Sequence, residues 1–180
     1  MRLRDSPSAY DPLSRFNHWA VAAAVLAMLS IGLYFTDLPP GGQRIYWRTL
    51  HIAIGTICLP LLAFGLAWRC AAGAPRALAQ APALRLLARV VHMTMMLAVL
   101  TMLASGVLMQ WFAGRAIGVF DLLRIASPLT ESDLWHERMQ QVHGIAAWAL
   151  IALITVHVIG VIKHTVFDRN ALRRMLGKPH

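Results

Sequence analysis

Residues 140–167 read "QQVHGIAAWALIALITVHVIGVIKHTVF", and they place His143, His157 and His164 in a segment that is otherwise almost pure hydrocarbon. An imidazole left unpaired inside a membrane is costly, so an apolar helix that carries several of them needs a reason for each.

The rest of the chain is of the same kind. Of its 180 residues, 58% are hydrophobic and 14% charged, too apolar for an ordinary soluble domain of this length. The windows 16–36, 49–68, 90–114 and 139–162 contain no Asp, Glu, Lys or Arg. Each reaches the ~20 residues that cross a bilayer as a helix. The expected fold is an all-α membrane protein, a four-transmembrane-helix bundle in one domain, 1–180, with helices at about 16–36, 49–69, 88–113 and 139–164. No repeat or low-complexity tract interrupts it beyond the Ala/Pro-rich linker "AAGAPRALAQAPALR". The first window is long for a signal peptide and has no small-residue cleavage pattern behind it, so it reads as a retained helix.

Charge sets the expected orientation. Arg2, Arg4 and Arg15 precede helix one; Arg69, Arg76, Arg85 and Arg89 lie between helices two and three; Lys163, Arg169, Arg173, Arg174 and Lys178 follow helix four. These twelve of the 17 basic residues share one side, leaving Arg44, Arg48, Arg115, Arg124 and Arg138 on the other. Basic residues mark the cytoplasmic side, which puts both termini inside. The net charge of +9 is then an insertion signal and an affinity for anionic lipid. Nucleic acid is not an expected partner, because the basic residues hug helix ends and no binding motif accompanies them. Trp19 and Trp68 near the inner boundary, with Trp47, Trp111 and Trp135 near the outer one, fit the same frame. Cys58 and Cys70 form no Cys-x-x-Cys-His motif, so covalent c-type haem is not indicated.

Five of the eight histidines fall inside the charge-free windows: His18, His51, His92, His143 and His157, with at least one on every helix. A single intramembrane His is often no more than a hydrogen-bonding link to a neighbouring helix. Five spread over four helices are better explained by something that takes imidazoles in pairs. His143 and His157 are 14 residues apart, so they share a helix face and lie ~21 Å apart along its axis. With antiparallel neighbours, His51 falls level with His143 on the outer side, and His18 with His157 on the inner side. Two imidazoles from facing helices are the axial ligands of a b-type haem in a four-helix bundle. The expected metal-binding residues are therefore His18, His51, His143 and His157, holding two haem b. His136 and His164 lie on the same seven-residue series, but they would span ~42 Å, more than the ~30 Å hydrocarbon core. Gly55 and Gly144 are candidates for making room beside the porphyrin.

In order along the chain come "YDPLSRFNHWA", "LHIAIG", "LARVVHM", "VHGIAAW", "VHVIGVIKH" and "ALRRMLG". These motifs, in this order and with the 14-residue His spacing, resemble bacterial cytochrome b561, a dihaem four-helix membrane family related to the cytochrome b subunits of nickel hydrogenases and formate dehydrogenases. The resemblance spans almost the whole chain. It departs at "KHT" (163–165), where the family often has a second His after Lys-His. Its haem ligands fall on the same four histidines. The resemblance implies electron exchange with the quinone pool, with ubiquinone as substrate. For superoxide oxidase-like members it also implies superoxide as electron donor at the outer face, where the five arginines are attractor candidates. The remaining intramembrane His92, with His164 on the same inner side, is the candidate quinone site; the alternative is that His92 caps a haem propionate or bonds a neighbouring helix.

The expected class is a stand-alone quinone-linked oxidoreductase. A membrane-anchor cytochrome b subunit of a separate dehydrogenase or hydrogenase is the alternative, with an electron-donor protein as partner. The short chain without a large partner-facing extension speaks for the first. A small proton-coupled transporter using histidines as a relay is the non-redox alternative, and it predicts no Soret band.

Overall fold

Asp11 opens the first helix. Its Oδ1 accepts hydrogen bonds from the backbone N–H of Leu13 (2.7 Å) and Ser14 (3.0 Å), and Pro12 takes the first helical position, where no N–H is needed. A computed structural model describes residues 10–71, 81–120, 122–167 and 176. The described part contains α1 (Pro12–Asp37), α2 (Gly42–Ala71), α3 (Pro82–Phe112) and α4 (Asp133–Phe167). Between α3 and α4 lies a small antiparallel hairpin, β1 (Ile117–Val119) and β2 (Leu123–Ile125). Arg2, Arg4, Arg76, Arg169, Arg173, Arg174, Lys178 and the "ALRRMLG" motif are at or within stretches outside the described residues, apart from the helical Leu176.

All four helices are long and apolar enough to cross a membrane. They run past the charge-free windows, because capping and polar ends continue a helix beyond the hydrocarbon. The clearest case is α4, whose 35 residues take in His136, Glu137 and Arg138. Ser132 starts it, its carbonyl accepting from His136 N at 2.9 Å and its Oγ from Trp135 N at 3.4 Å. The hairpin carries too few residues per strand for a two-residue alternation to be read from sequence. Its turn holds Phe120 at φ 50° in place of the usual Asn or Gly.

Packing is pairwise. α1 runs along α2 and α3 along α4, while α2 and α3 touch only lightly. Leu29, Ala98 and Leu150, from three helices, form the central apolar cluster. Unlike in a soluble protein, large apolar side chains cover the exterior. Leu26, Leu97, Ile145, Trp148 and Ile159 are exposed, while Asp11, Ser14, Asn17, Ser105 and Gln110 are buried. An apolar exterior with polar groups placed between helices is what a lipid solvent selects, since polar groups find partners only there.

At the end bearing residue 10 and the C-terminus of α4, polar bonds join the first pair. Trp68 Nε1 donates to Ser14 Oγ (2.9 Å), and Ser14 Oγ donates to Asp11 Oδ2 (2.8 Å). Trp68 thus ties α2 to the cap of α1 in addition to marking a boundary. One turn away Asn17 Nδ2 donates to the Gly65 carbonyl at 3.4 Å. The helices meet closely there: a Cβ on Gly65 would come within 2.7 Å of Val21 Cγ2 and 3.2 Å of Asn17 Oδ1. Gly144, by contrast, faces open space, with nothing within 4 Å of an added Cβ.

These two glycines therefore make opposite predictions. Gly65→Val should cost about 1–3 kcal/mol through overpacking, read as a lower unfolding midpoint in detergent. Gly144→Ala should leave the midpoint unchanged or raise it. Equal losses from both would contradict the packing described.

Candidate cofactor site

Imidazoles face one another across the seam between the two helix pairs, at two levels. Toward the hairpin, His51 of α2 and His143 of α4 have ring centroids 6.5 Å apart, with ring planes at 83°. Toward the opposite end, His18 of α1 and His157 of α4 have centroids 6.4 Å apart, with planes at 56°. Along α4 the two levels are separated by 14 residues, ~21 Å of helix. All four rings are partly buried.

The surroundings of the hairpin-side pair are built from the adjacent helices. A Cβ on Gly32 of α1 would reach His51 Cε1 at 3.2 Å, and one on Gly106 of α3 would reach His143 Cε1 at the same distance. Each ring therefore leans on a glycine of its partner helix, where any larger residue would push it aside. Phe35 adds an edge contact to His51 at 5.4 Å. The two distal nitrogens differ. His143 Nδ1 lies 3.0 Å from Ser105 Oγ, whereas His51 Nδ1 is buried with no hydrogen-bond partner among the described residues. A mainly apolar cavity opens around the pair, lined by Met28, Gly55, Leu62, Met102, Gln110 and Leu150 and reached by Ile117 of the hairpin.

The other level holds a third imidazole. His92 of α3 sits edge-on to His157, 5.0 Å between centroids at 87°, and its Nδ1–H donates to the Ala88 carbonyl at 2.5 Å. The His92 ring is otherwise exposed on the apolar exterior. Trp19 lies beside His18 at 5.4 Å. His164 is partly buried two turns beyond His157. His136 belongs to neither level; its Nδ1–H donates to the Met109 carbonyl at 2.8 Å and pins the start of α4 to α3.

Sequence reasoning did not find Ser105, Gly32 or Gly106. Only "ASG" (104–106), a run of small residues in an apolar helix, hinted at a close approach. Gly55 does line the cavity, while Gly144 points away from it.

The geometry restricts what the pairs can hold. Two imidazoles on opposite sides of one metal, each bonded at about 2 Å, have ring centres roughly 6 Å apart, and both pairs match. Among the described residues no group of three or more His, Cys, Asp or Glu converges on a point suited to a metal ion. A metal here would thus have two protein ligands and would take its remaining ligands from something else. A metal held inside a flat organic macrocycle meets that condition, and the macrocycle would occupy the apolar seam.

Comparison with known proteins agrees with this chemistry. The family model described as prokaryotic cytochrome b561 matches residues 9–178. Cytochrome b561 homolog 2 of Escherichia coli (strain K12) is 28% identical over 181 residues, an alignment covering 99% of this chain and 96% of that protein. With a matching family model over nearly its whole length and four helices suited to a bilayer, the chain belongs to the prokaryotic cytochrome b561 family, multi-pass bacterial membrane proteins that bind b-type haem and carry electrons.

Proposed function

We propose that the protein is a dihaem electron carrier of the bacterial inner membrane, passing electrons between a donor at the hairpin face and a quinone at the opposite face. The observation that carries this reading is the pair of imidazole–imidazole separations, 6.5 and 6.4 Å, at two depths of one bundle. In this reading His51 and His143 hold one b haem and His18 and His157 the other. Bound haem supplies a one-electron carrier at its iron. The protein supplies the rest. The imidazoles fix the two positions along α4, Gly32 and Gly106 leave room for the hairpin-side rings, and the apolar seam excludes water.

The excess of basic residues beside the termini supports a cytoplasmic location for them, with the hairpin outside. Arg44, Arg48, Arg115, Arg124 and Arg138 then surround the outer end and favour a small anionic donor. Superoxide fits: each loses one electron to become dioxygen. Two such electrons and two protons convert one quinone, ubiquinone in this proposal, to its hydroquinone. The protons must reach the quinone oxygens from the inner side. His92 is exposed there beside His157, with His164 on the same end. Because His92 Nδ1–H is given to Ala88, its Nε2 is the nitrogen left to face a quinone oxygen, accepting when neutral and donating when protonated.

Two experiments test the proposal. His51→Ala or His143→Ala should remove one haem and leave the other, while His18→Ala or His157→Ala should remove the second, as read from reduced-minus-oxidised spectra. Full haem retention in any of the four would contradict the assignment. His92→Phe and His164→Phe should preserve both haem spectra, and at least one should slow quinol formation by about a hundredfold or more, the scale of a lost proton-transfer group. Native rates in both would move the quinone to another surface.

A further inference from the structure

We propose that Ser105 is a positioning residue for His143, fixing its tautomer and making the two ligands of the hairpin-side haem electronically unequal; this rests on the ligand assignment above. Ser105 is the most deeply buried polar side chain described, 1% exposed, in the middle of an apolar helix. Packing alone would be met at lower cost by Ala.

The direction of its hydrogen bonds carries the inference. A serine hydroxyl has one hydrogen and two lone pairs. Ser105 Oγ donates that hydrogen to the Thr101 carbonyl, one turn back on α3, at 2.6 Å. Its contact with His143 Nδ1 at 3.0 Å must then run the other way, with Nδ1–H as donor and Oγ as acceptor. This leaves the lone pair of neutral His143 on Nε2, the nitrogen needed by a metal. Were Ser105 to donate to Nδ1 instead, Nε2 would hold the proton and could not ligate. The neighbouring Gly106 completes the seat, since a Cβ there would press on His143 Cε1 at 3.2 Å and Nδ1 at 3.5 Å. Ser105 thus sets the hydrogen of the ring, while Gly106 leaves room for its tilt.

His51 is the internal comparison. It has an equivalent glycine contact from Gly32, yet its buried Nδ1 has no hydrogen-bond partner among the described residues. The two rings share a steric seat and differ in hydrogen bonding, since among the described residues His143 alone of the two has acceptors within reach, Ser105 Oγ and the Met102 carbonyl. An acceptor on the distal N–H makes an imidazole a stronger electron donor to its metal. Ser105 therefore favours the oxidised form of the haem held by His143, lowering its reduction potential, and has no such effect on the haem held by His18 and His157.

The test uses the haem-loaded protein with Ser105→Ala, which removes the hydroxyl acceptor and leaves the Met102 carbonyl, and Ser105→Cys, which keeps the volume but accepts weakly. Redox titration and the low-spin electron paramagnetic resonance g values are read for both haems, identified by their loss in His143→Ala and His157→Ala. At the potential where the native hairpin-side haem is half reduced, both Ser105 variants should raise its reduced-to-oxidised ratio roughly three- to tenfold, the scale of one net hydrogen bond. Its g values should shift, and the other haem should stay as in the native protein. A Cys variant that behaves as native while Ala shifts would reduce Ser105 to a space filler and overturn the proposal. So would unchanged potentials in both variants, or a shift in the haem lost from His157→Ala. If Ser105→Ala does not retain its haem, the Cys variant alone decides by the same criteria. If His143→Ala keeps both haems, the ligand assignment itself has failed, a result separable from the Ser105 comparison.

Discussion

An imidazole in a hydrocarbon interior is costly unless its ring nitrogens find partners, and that constraint organises this protein. The histidines at the two levels of the bundle are placed where a partner ring stands opposite at about the span of a bis-imidazole metal. The helices then have to hold those rings while remaining apart enough to leave a seam between α1/α2 and α3/α4. This accounts for packing that is tight within each pair and light between α2 and α3. It also accounts for the scarcity of fully buried large apolar residues among the described residues, since the space they would fill lies around the imidazoles.

The two ends of the bundle solve the same problem with different chemistry. At the hairpin end the rings rest on glycines, and one of them is hydrogen-bonded by a buried serine. At the other end three imidazoles gather, and the adjoining α1–α2 contact is tied by the Asp11–Ser14–Trp68 chain and the Asn17–Gly65 bond. In the proposed function the two sites are unequal in character, and the asymmetry in hydrogen bonding supplies a physical basis for that difference.

Much of the architecture was legible because lipid imposes a simple rule. Charge-free windows longer than about 20 residues can only be helices in a bilayer, and the four helices follow them. The 14-residue spacing of His143 and His157 says that they share a face, whatever surrounds them. Features that depend on a neighbouring helix were not legible. Gly144 follows His143 in sequence, but consecutive helical residues point about 100° apart, and Gly144 faces outward. The glycines against the rings, Gly32 and Gly106, come from other helices. Ser105 sits 38 positions from His143 and contacts it only through the packing of α3 on α4. The helix ends moved outward because caps such as Asp11 and Ser132 act on backbone N–H groups, outside the reach of a hydropathy pattern. The hairpin was invisible because its strands have three residues each.

The central claim is that the four facing histidines hold two haems, and haem quantified against purified protein tests it most directly. The account predicts two b haems per chain, both low-spin and both reduced by dithionite. A ratio of one or none, or a high-spin signal from either site in the native protein, would contradict it.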